Sequence, residues 1–86
     1  MSQSNCTAEQ AIDREHLEEV AAELERARAK FGAIASLHEG YAVILEELEE
    51  FWEGVKTKGT HPEAMRLELI QIAAMAIRTA TDRLVP

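Results

Sequence analysis

The chain has 86 residues, one cysteine and a formal net charge of −7, which suits a single domain over residues 1–86 and allows no internal disulfide. The acidic balance argues against a nucleic-acid polymer as the partner, because phosphate backbones need clustered Lys and Arg. No apolar run reaches the roughly 18 residues of a membrane span, so we expect no membrane segment and a location in the reducing cytoplasm.

A frayed tail and then a long amphipathic helix are expected at the start of the chain. Residues 1–6 are small and polar, as is typical of unstructured termini. Thr7–Gln10 has the spacing of a capping box, in which the first and fourth residues each bond the other's backbone N–H. Apolar residues then recur every three to five positions from Ile12 to Phe31, which predicts a helix that ends near Lys30, before Gly32.

The second predicted helix runs from about Leu37 to Lys56. A capping box over Ser36–Glu39 marks its start, and Gly59 prevents its continuation. Its apolar residues recur at the helical period and should form one stripe that faces the core. The residues of this stripe are Tyr41, Ile44, Leu45, Leu48, Phe51, Trp52 and Val55.

The third predicted helix begins at a capping box over Thr60–Glu63, with Pro62 in its first turn, and runs to about Leu84. Its segment Leu69–Ile77 is apolar on nearly every side, with Gln71 the exception. A helix that is apolar all round is buried all round, and two other helices cannot surround it. We therefore expect an all-α fold of three long helices, closed into a four-helix-bundle-like core as a homodimer, a homotetramer or another oligomer.

The second helix crowds its acidic residues together. Glu46, Glu47 and Glu50 fall within about 100° of arc on a helix, and like charges at such spacings repel by roughly a few tenths of a kcal/mol per pair. Glu50 and Glu68 are equally far in sequence from Gly59, so they should lie level in an antiparallel hairpin. Carboxylates that close need protons or a cation, and Mg²⁺ prefers oxygen ligands. The alternative is an acidic face that is simply solvated.

These residues resemble a known signature. EELEE at Glu46–Glu50, followed by ELIQ at Glu68–Gln71, is similar to the EExxE…ExxD signature of the MazG-like all-α nucleotide pyrophosphohydrolases. ELERARAKFG at Glu23–Gly32 and ELIQIAAMA at Glu68–Ala76 further resemble the small phage-type members of that family. The likeness covers most of the chain, and the ELIQ segment is its most specific part.

The resemblance implies Mg²⁺-dependent or Mn²⁺-dependent hydrolysis of NTP or dNTP substrates to a monophosphate and pyrophosphate. Carried over by position, Glu47, Glu50 and Glu68 would bind the metal. Glu46 and Glu47 would be the catalytic residues, with Glu46 binding the metal or orienting or deprotonating the attacking water. Gln71 stands where the signature has Asp, and its amide oxygen can bind a metal but brings no charge and cannot act as a base. A catalytically weakened or inactive relative that binds nucleotide or a protein partner is therefore the alternative.

Two cationic residues are candidates for contacting the substrate phosphates. Lys56 flanks the turn between the second and third helices, and Arg78 extends the helical face of Glu68 and Gln71. Each has a structural alternative: a solvated helix end for Lys56, and an ion pair one turn along the helix with Asp82 for Arg78. A third function, an acidic helical module that mimics a phosphate backbone, depends on the net charge alone.

Overall fold

The computed structural model describes residues 7–86, which form three α-helices and, within that range, no strand. Helix α1 spans Ala8–Phe31, α2 spans Leu37–Lys56 and α3 spans Pro62–Leu84. The all-α prediction is confirmed, and the predicted helix ends agree with the observed ones to within about two residues. The tail predicted at residues 1–6 lies outside the described residues. No helix in the described range is long and apolar enough to cross a membrane.

Side-chain caps explain where the first two helices begin. At α1 the predicted capping box is complete: the N–H of Gln10 donates to Thr7 Oγ1 at 3.1 Å, and the N–H of Thr7 donates to Gln10 Oε1 at 2.8 Å. At α2 only half of the box forms, because Ser36 Oγ accepts from the N–H of Glu39 at 3.0 Å. The carboxylate of Glu39 instead accepts from the N–H of Ala35 at 2.5 Å, one residue before the predicted position.

Helix α3 begins without the capping box predicted at Thr60. Its N-cap is His61, whose side chain makes no capping hydrogen bond. Pro62 follows at the first helical position, where its missing N–H would have no partner in any case. Just before it, Gly59 adopts φ 87°, a conformation that side chains disfavour and that lets the chain turn sharply from α2 into α3.

Helices α2 and α3 form an antiparallel hairpin in which α2 presents a glycine to α3 near each end. A Cβ atom on Gly40 would overlap the side chain of Thr79, and one on Gly54 would lie 3.3 Å from Met65 Cγ. Glycine at both positions therefore allows the two backbones to approach closely. The face of α2 between these two glycines is the face that carries the clustered carboxylates.

The buried apolar core lies between α1 and α3. Helix α3 packs against both other helices, whereas α1 and α2 do not pack against each other within residues 7–86. Helix α3 is therefore the central helix and contacts both of the others. The buried residues of this core are Val20, Ala27, Ile70, Ala74 and Met75.

The three helices form a flattened body with extents of 45 × 43 × 19 Å. Three helices leave many of their apolar side chains uncovered, and much of the α2 stripe that was predicted to face the core is open: Tyr41 is 67% exposed and Trp52 55%. On α3, Leu69 and Ile77 are 48% and 43% exposed. This exposure agrees with the expectation that two other helices cannot surround the apolar segment of α3.

Candidate metal centre

The candidate site lies where α2 and α3 pass each other between the two glycine contacts. Glu47 and Glu50 stand one turn apart on α2, and Glu68 comes from α3. Each of these three carboxylates offers one oxygen, and the three oxygens lie within 4.8 Å of one another. The hairpin register thus brings together the carboxylates that were predicted to meet across it.

Crowding changes the protonation of this carboxylate cluster, which we define as Glu47, Glu50 and Glu68. Partial burial raises the pKa of Glu47 to about 7, and contact with Glu68 and the charges of Glu50, Glu68 and Glu46 contribute. The pKa of Glu50 is also raised, first by desolvation beside α3 and then by the charges of Glu68 and Glu46. Near neutral pH Glu47 is therefore partly protonated, and a cation bound to the cluster would replace that proton.

Gln71 lies one turn beyond Glu68 and faces the same cluster. With its amide nitrogen turned inward it donates to Glu47 Oε2 and, at 3.1 Å, to Glu68 Oε1. With its amide oxygen turned inward it supplies a fourth oxygen, which is favourable beside a cation or a protonated carboxyl, because ionised carboxylates and an amide oxygen are all acceptors. The first orientation thus suits an ionised, metal-free cluster, and the second suits a cluster that holds a metal or a proton.

A cavity of about 540 Å³ opens beside the cluster, between α1 and α2 and over the middle of α3. Small-molecule sites typically enclose roughly 300–1,000 Å³, so the volume suits a ligand of nucleotide size. Glu47 belongs to both the cluster and the cavity wall. Glu46 is exposed and lines the cavity, but it is not one of the three converging carboxylates.

The structure separates the two cationic candidates for substrate binding. Lys56 does not line this cavity. Its ammonium pairs with Glu53 at 3.1 Å and lies 5.8 Å from the centre of the Trp52 ring. These contacts hold Lys56 at the end of α2, and the geometry gives no support to a role in substrate binding.

Arg78, in contrast, is 4% exposed and lines the cavity. The ion pair that was weighed between Arg78 and Asp82 is wrong. Asp82 instead accepts from Arg28 Nη1 at 2.6 Å and from the N–H of Ile34 at 2.8 Å. These two bonds, together with the charges of Arg28 and Arg78, depress the pKa of Asp82. The bonds also tie the end of α1 and the following linker to α3.

Two further cationic residues line the cavity, Arg26 and Lys30 from the last turns of α1, and the site prediction from sequence missed them. The sequence does show that Arg26 and Lys30 are four residues apart, which places both side chains on one face of the helix. The sequence does not show which face of α1 meets the cavity, because that depends on how α1 packs against α3.

Comparison of the chain with protein-family models, with curated proteins and with solved structures gives no match. The functional interpretation therefore depends on the site itself. What defines the site is a three-carboxylate cluster between two helices of an all-α protein, next to a cavity that carries both acidic and basic side chains.

Proposed function

We propose that the protein is a MazG-like nucleotide pyrophosphohydrolase that uses Mg²⁺ or Mn²⁺ to hydrolyse NTP or dNTP substrates to a monophosphate and pyrophosphate. The observation that carries the proposal is the convergence of Glu47, Glu50 and Glu68 from two helices to within 4.8 Å. The resemblance of EELEE and ELIQ to the family signature supports it, and so does the adjoining cavity of about 540 Å³.

The donor set fits a hard divalent cation. Three carboxylates and the amide of Gln71 offer oxygen ligands, which Mg²⁺ and Mn²⁺ prefer. The raised pKa of Glu47 reflects a repulsion that a cation would relieve. When bound, such a cation lowers the pKa of a coordinated water and stabilises negative charge on phosphate oxygens.

The other steps of the proposed reaction, which are metal binding, activation of water and substrate binding, fall to different residues. Glu47, Glu50 and Glu68 would hold the cation between α2 and α3, and Glu47 also lines the cavity. Glu46 lines the same cavity with an exposed carboxylate, so it can orient the attacking water and accept its proton. The cavity would hold the nucleotide next to the carboxylate cluster.

A second candidate function is a weakened or inactive relative that binds nucleotide or a protein partner. The observation that favours it is the amide of Gln71, which can satisfy Glu47 and Glu68 by donating hydrogen bonds without any metal. An aspartate at that position would add a charge and a possible base. The two candidates differ in turnover, because only the first hydrolyses a nucleotide.

Pyrophosphate release from a panel of NTPs and dNTPs with Mg²⁺ or Mn²⁺ tests the main proposal. We expect Glu50→Gln to lower the rate by about 100-fold or more, because even residues that only support a metal ligand are worth about 10- to 100-fold. Glu49→Gln, on the exposed side of the same turn, should leave the rate unchanged. No release by the wild type from any nucleotide at high protein concentration would contradict the proposal.

We further propose that a second copy of the chain covers the open apolar face, as a homodimer or homotetramer with a four-helix-bundle-like core. The exposure of Tyr41, Trp52, Leu69 and Ile77 supports this. Light scattering of the wild type should give a mass of two or four chains. Leu69→Glu should shift it towards one chain, and Leu17→Glu, at an exposed site on α1, should not. A monomeric wild type at high concentration would overturn the idea.

A further inference from the structure

Arg78 has a peculiar environment for an arginine. It is the only buried charged residue among those the structure describes, with 4% of its surface exposed. Its Nε and Nη2 donate to the carbonyl oxygen of Gly32 at 3.3 and 2.7 Å, which fastens the end of α1 to α3. Its Nη1 faces the sulfur of Met75 at 3.5 Å, and the ring centre of Phe31 lies 5.8 Å from its guanidinium carbon. All three of these neighbours are electrically neutral.

In the described part of the chain, no carboxylate contacts Arg78 directly, although its charge is close enough to Asp82 to help lower the pKa of that carboxyl. Across residues 7–86, no carboxylate oxygen lies within 4.0 Å of its guanidinium nitrogens. Asp82, one turn further along α3, is bonded to Arg28 and to the backbone of Ile34. Arginine residues that are this deeply buried normally have an anionic partner, because a buried charge is unfavourable without one.

Two of the donors of Arg78 are also unused. A guanidinium carries five N–H groups, and the contacts with Gly32 and Met75 engage one on each nitrogen. One N–H remains on each of the two terminal nitrogens. Because Arg78 lines the cavity of about 540 Å³, a ligand in that cavity can provide both the missing anion and the missing acceptors.

We propose that Arg78 is an oxyanion-binding residue, and that its charge and its two unused N–H groups hold a phosphate-class group in the cavity without the help of a metal. A planar guanidinium matches pairs of phosphate oxygens, which makes arginine well suited to this task. The inference rests on the proposed function where it places a nucleotide's phosphate at Arg78. The binding of an oxyanion at Arg78 does not depend on that function.

The other charged groups of the cavity determine how strongly such an anion binds. Arg26 forms an ion pair with Glu23, and Glu39 bonds the backbone of Ala35, so these groups are already engaged. Lys30 also lines the cavity and attracts an anion, whereas Glu46 and Glu47 repel one. We therefore expect weak, millimolar binding without metal and tighter binding when a cation occupies the carboxylate cluster.

The side-chain Nε–H signal of Arg78 in a ¹⁵N NMR spectrum gives a direct test. The protein is titrated in EDTA at constant ionic strength with inorganic phosphate, with a nucleoside monophosphate and with the same nucleoside lacking phosphate. We expect both phosphate ligands to shift the signal saturably and the nucleoside to leave it unchanged. Tighter binding of the monophosphate identifies a nucleotide as the ligand, and equal binding identifies free phosphate. No shift with either ligand, or an equal shift with the nucleoside, would overturn the inference.

Variants provide an independent readout through the phosphate-dependent rise in Tm, again in EDTA. Arg78→Met removes the charge, Arg78→Lys keeps it without the planar fork, and Arg83→Met removes an exposed arginine from the same helix outside the cavity. The rise should persist in Arg83→Met and vanish in Arg78→Met, and Arg78→Lys should bind phosphate about tenfold more weakly than the wild type.

An undiminished rise in Arg78→Met would refute the inference. If that variant does not fold, Arg78→Lys and the NMR titration of the wild type still decide. Because the titration contains EDTA, its failure is distinguishable from a failure of the metal-dependent hydrolase proposal, which only the pyrophosphate assay detects.

Discussion

Helix α3 makes two very different contacts with its neighbours. Against α1 it buries apolar side chains, with Ile70 and Ala74 packed in one cluster with Val20 and Ala27. Against α2 it meets a glycine near each end and carboxylates between them. The first contact favours folding, because it removes apolar surface from water. Helix α2 also packs Val43 and Ile44 against this core, but its carboxylates bring like charges together, which opposes folding. Both neighbours of α3 thus contribute apolar burial, and the α2–α3 contact also carries the candidate chemistry.

The apolar stripe of α2 makes the contrast sharper. Tyr41 and Trp52 remain more than half exposed, while the same helix partly buries Glu47 against α3. Helix α2 therefore turns Glu47 towards α3 and packs Ile44 on the core, but leaves the part of its apolar stripe around Tyr41 and Trp52 open. A cation or a proton relieves the crowding at Glu47, and a second surface over the open part of the stripe would remove its apolar area from water.

The largest loss of stability should come from a substitution in the α1–α3 contact. Ile70 is 8% exposed in the core, and Ile70→Ala should lower the free energy of unfolding by about 2–4 kcal/mol, through lost burial and the cavity left behind. Leu17→Ala, at a 65% exposed site on α1, is the control and should cost less than about 0.5 kcal/mol. Urea unfolding in EDTA measures both. If Glu50→Gln were as destabilising as Ile70→Ala in that buffer, the two contacts would not differ as described.

The sequence predicted the α2–α3 contact well, for a local reason. A short turn at Gly59 determines the register of an antiparallel hairpin, so Glu50 and Glu68 could be paired by their distance from it. Three helices and most of their ends also followed from local patterns. The capping box at Thr60 failed because α3 begins one residue later than expected, at Pro62 after the N-cap His61.

The α1–α3 contact was much harder to predict. The i,i+4 rule suggested that Arg78 would pair with Asp82, but Asp82 bonds Arg28 and the backbone of Ile34, which are remote in sequence. The burial of Arg78 follows from the docking of the end of α1 at Gly32. Such long-range contacts depend on how whole helices pack, and the helical periodicity of one chain does not contain that information.

Changing Gln71 should have a smaller effect on stability, and the sign of that effect should depend on whether a metal is bound between α2 and α3. In EDTA, Gln71→Asp should lower Tm, since it replaces an amide donor by a fourth carboxylate. With Mg²⁺ the added charge should tighten metal binding about tenfold, or about 1.4 kcal/mol. Calorimetric titration with Mg²⁺ and thermal melts measure the two effects.

Gln71→Leu is the matched control, because it removes the amide donor without adding charge. It should lower Tm in EDTA less than Gln71→Asp does and should weaken Mg²⁺ binding rather than tighten it. If Gln71→Asp also turns a wild type without pyrophosphate release into an active one, the native protein is the weakened relative. Identical Mg²⁺ affinities in all three proteins would show that the amide does not face a metal.

The smallest effect concerns the pH dependence of the carboxylate cluster. Glu47 has a pKa of about 7 in the folded protein against 4.5 ordinarily, so the folded state binds its proton more tightly than the unfolded state. This contribution to stability is fully present below about pH 4.5 and is lost as pH rises through 7. Because the side chain is only partly buried, solvent screening reduces it to about 1 kcal/mol.

Glu47→Gln isolates this contribution, since the amide stays neutral at every pH. In EDTA the variant and the wild type should melt alike near pH 4.5, and the variant should melt higher at pH 8, where the wild type carries the extra charge. Groups with depressed pKa values, such as Asp82, change both proteins equally and cancel from the difference. Saturating Mg²⁺ should reverse the order at pH 8, because the wild type then gains a ligand that the amide replaces poorly. A difference in Tm that does not vary with pH would mean that Glu47 is not crowded by Glu50 and Glu68, and that the acidic face of α2 is merely solvated.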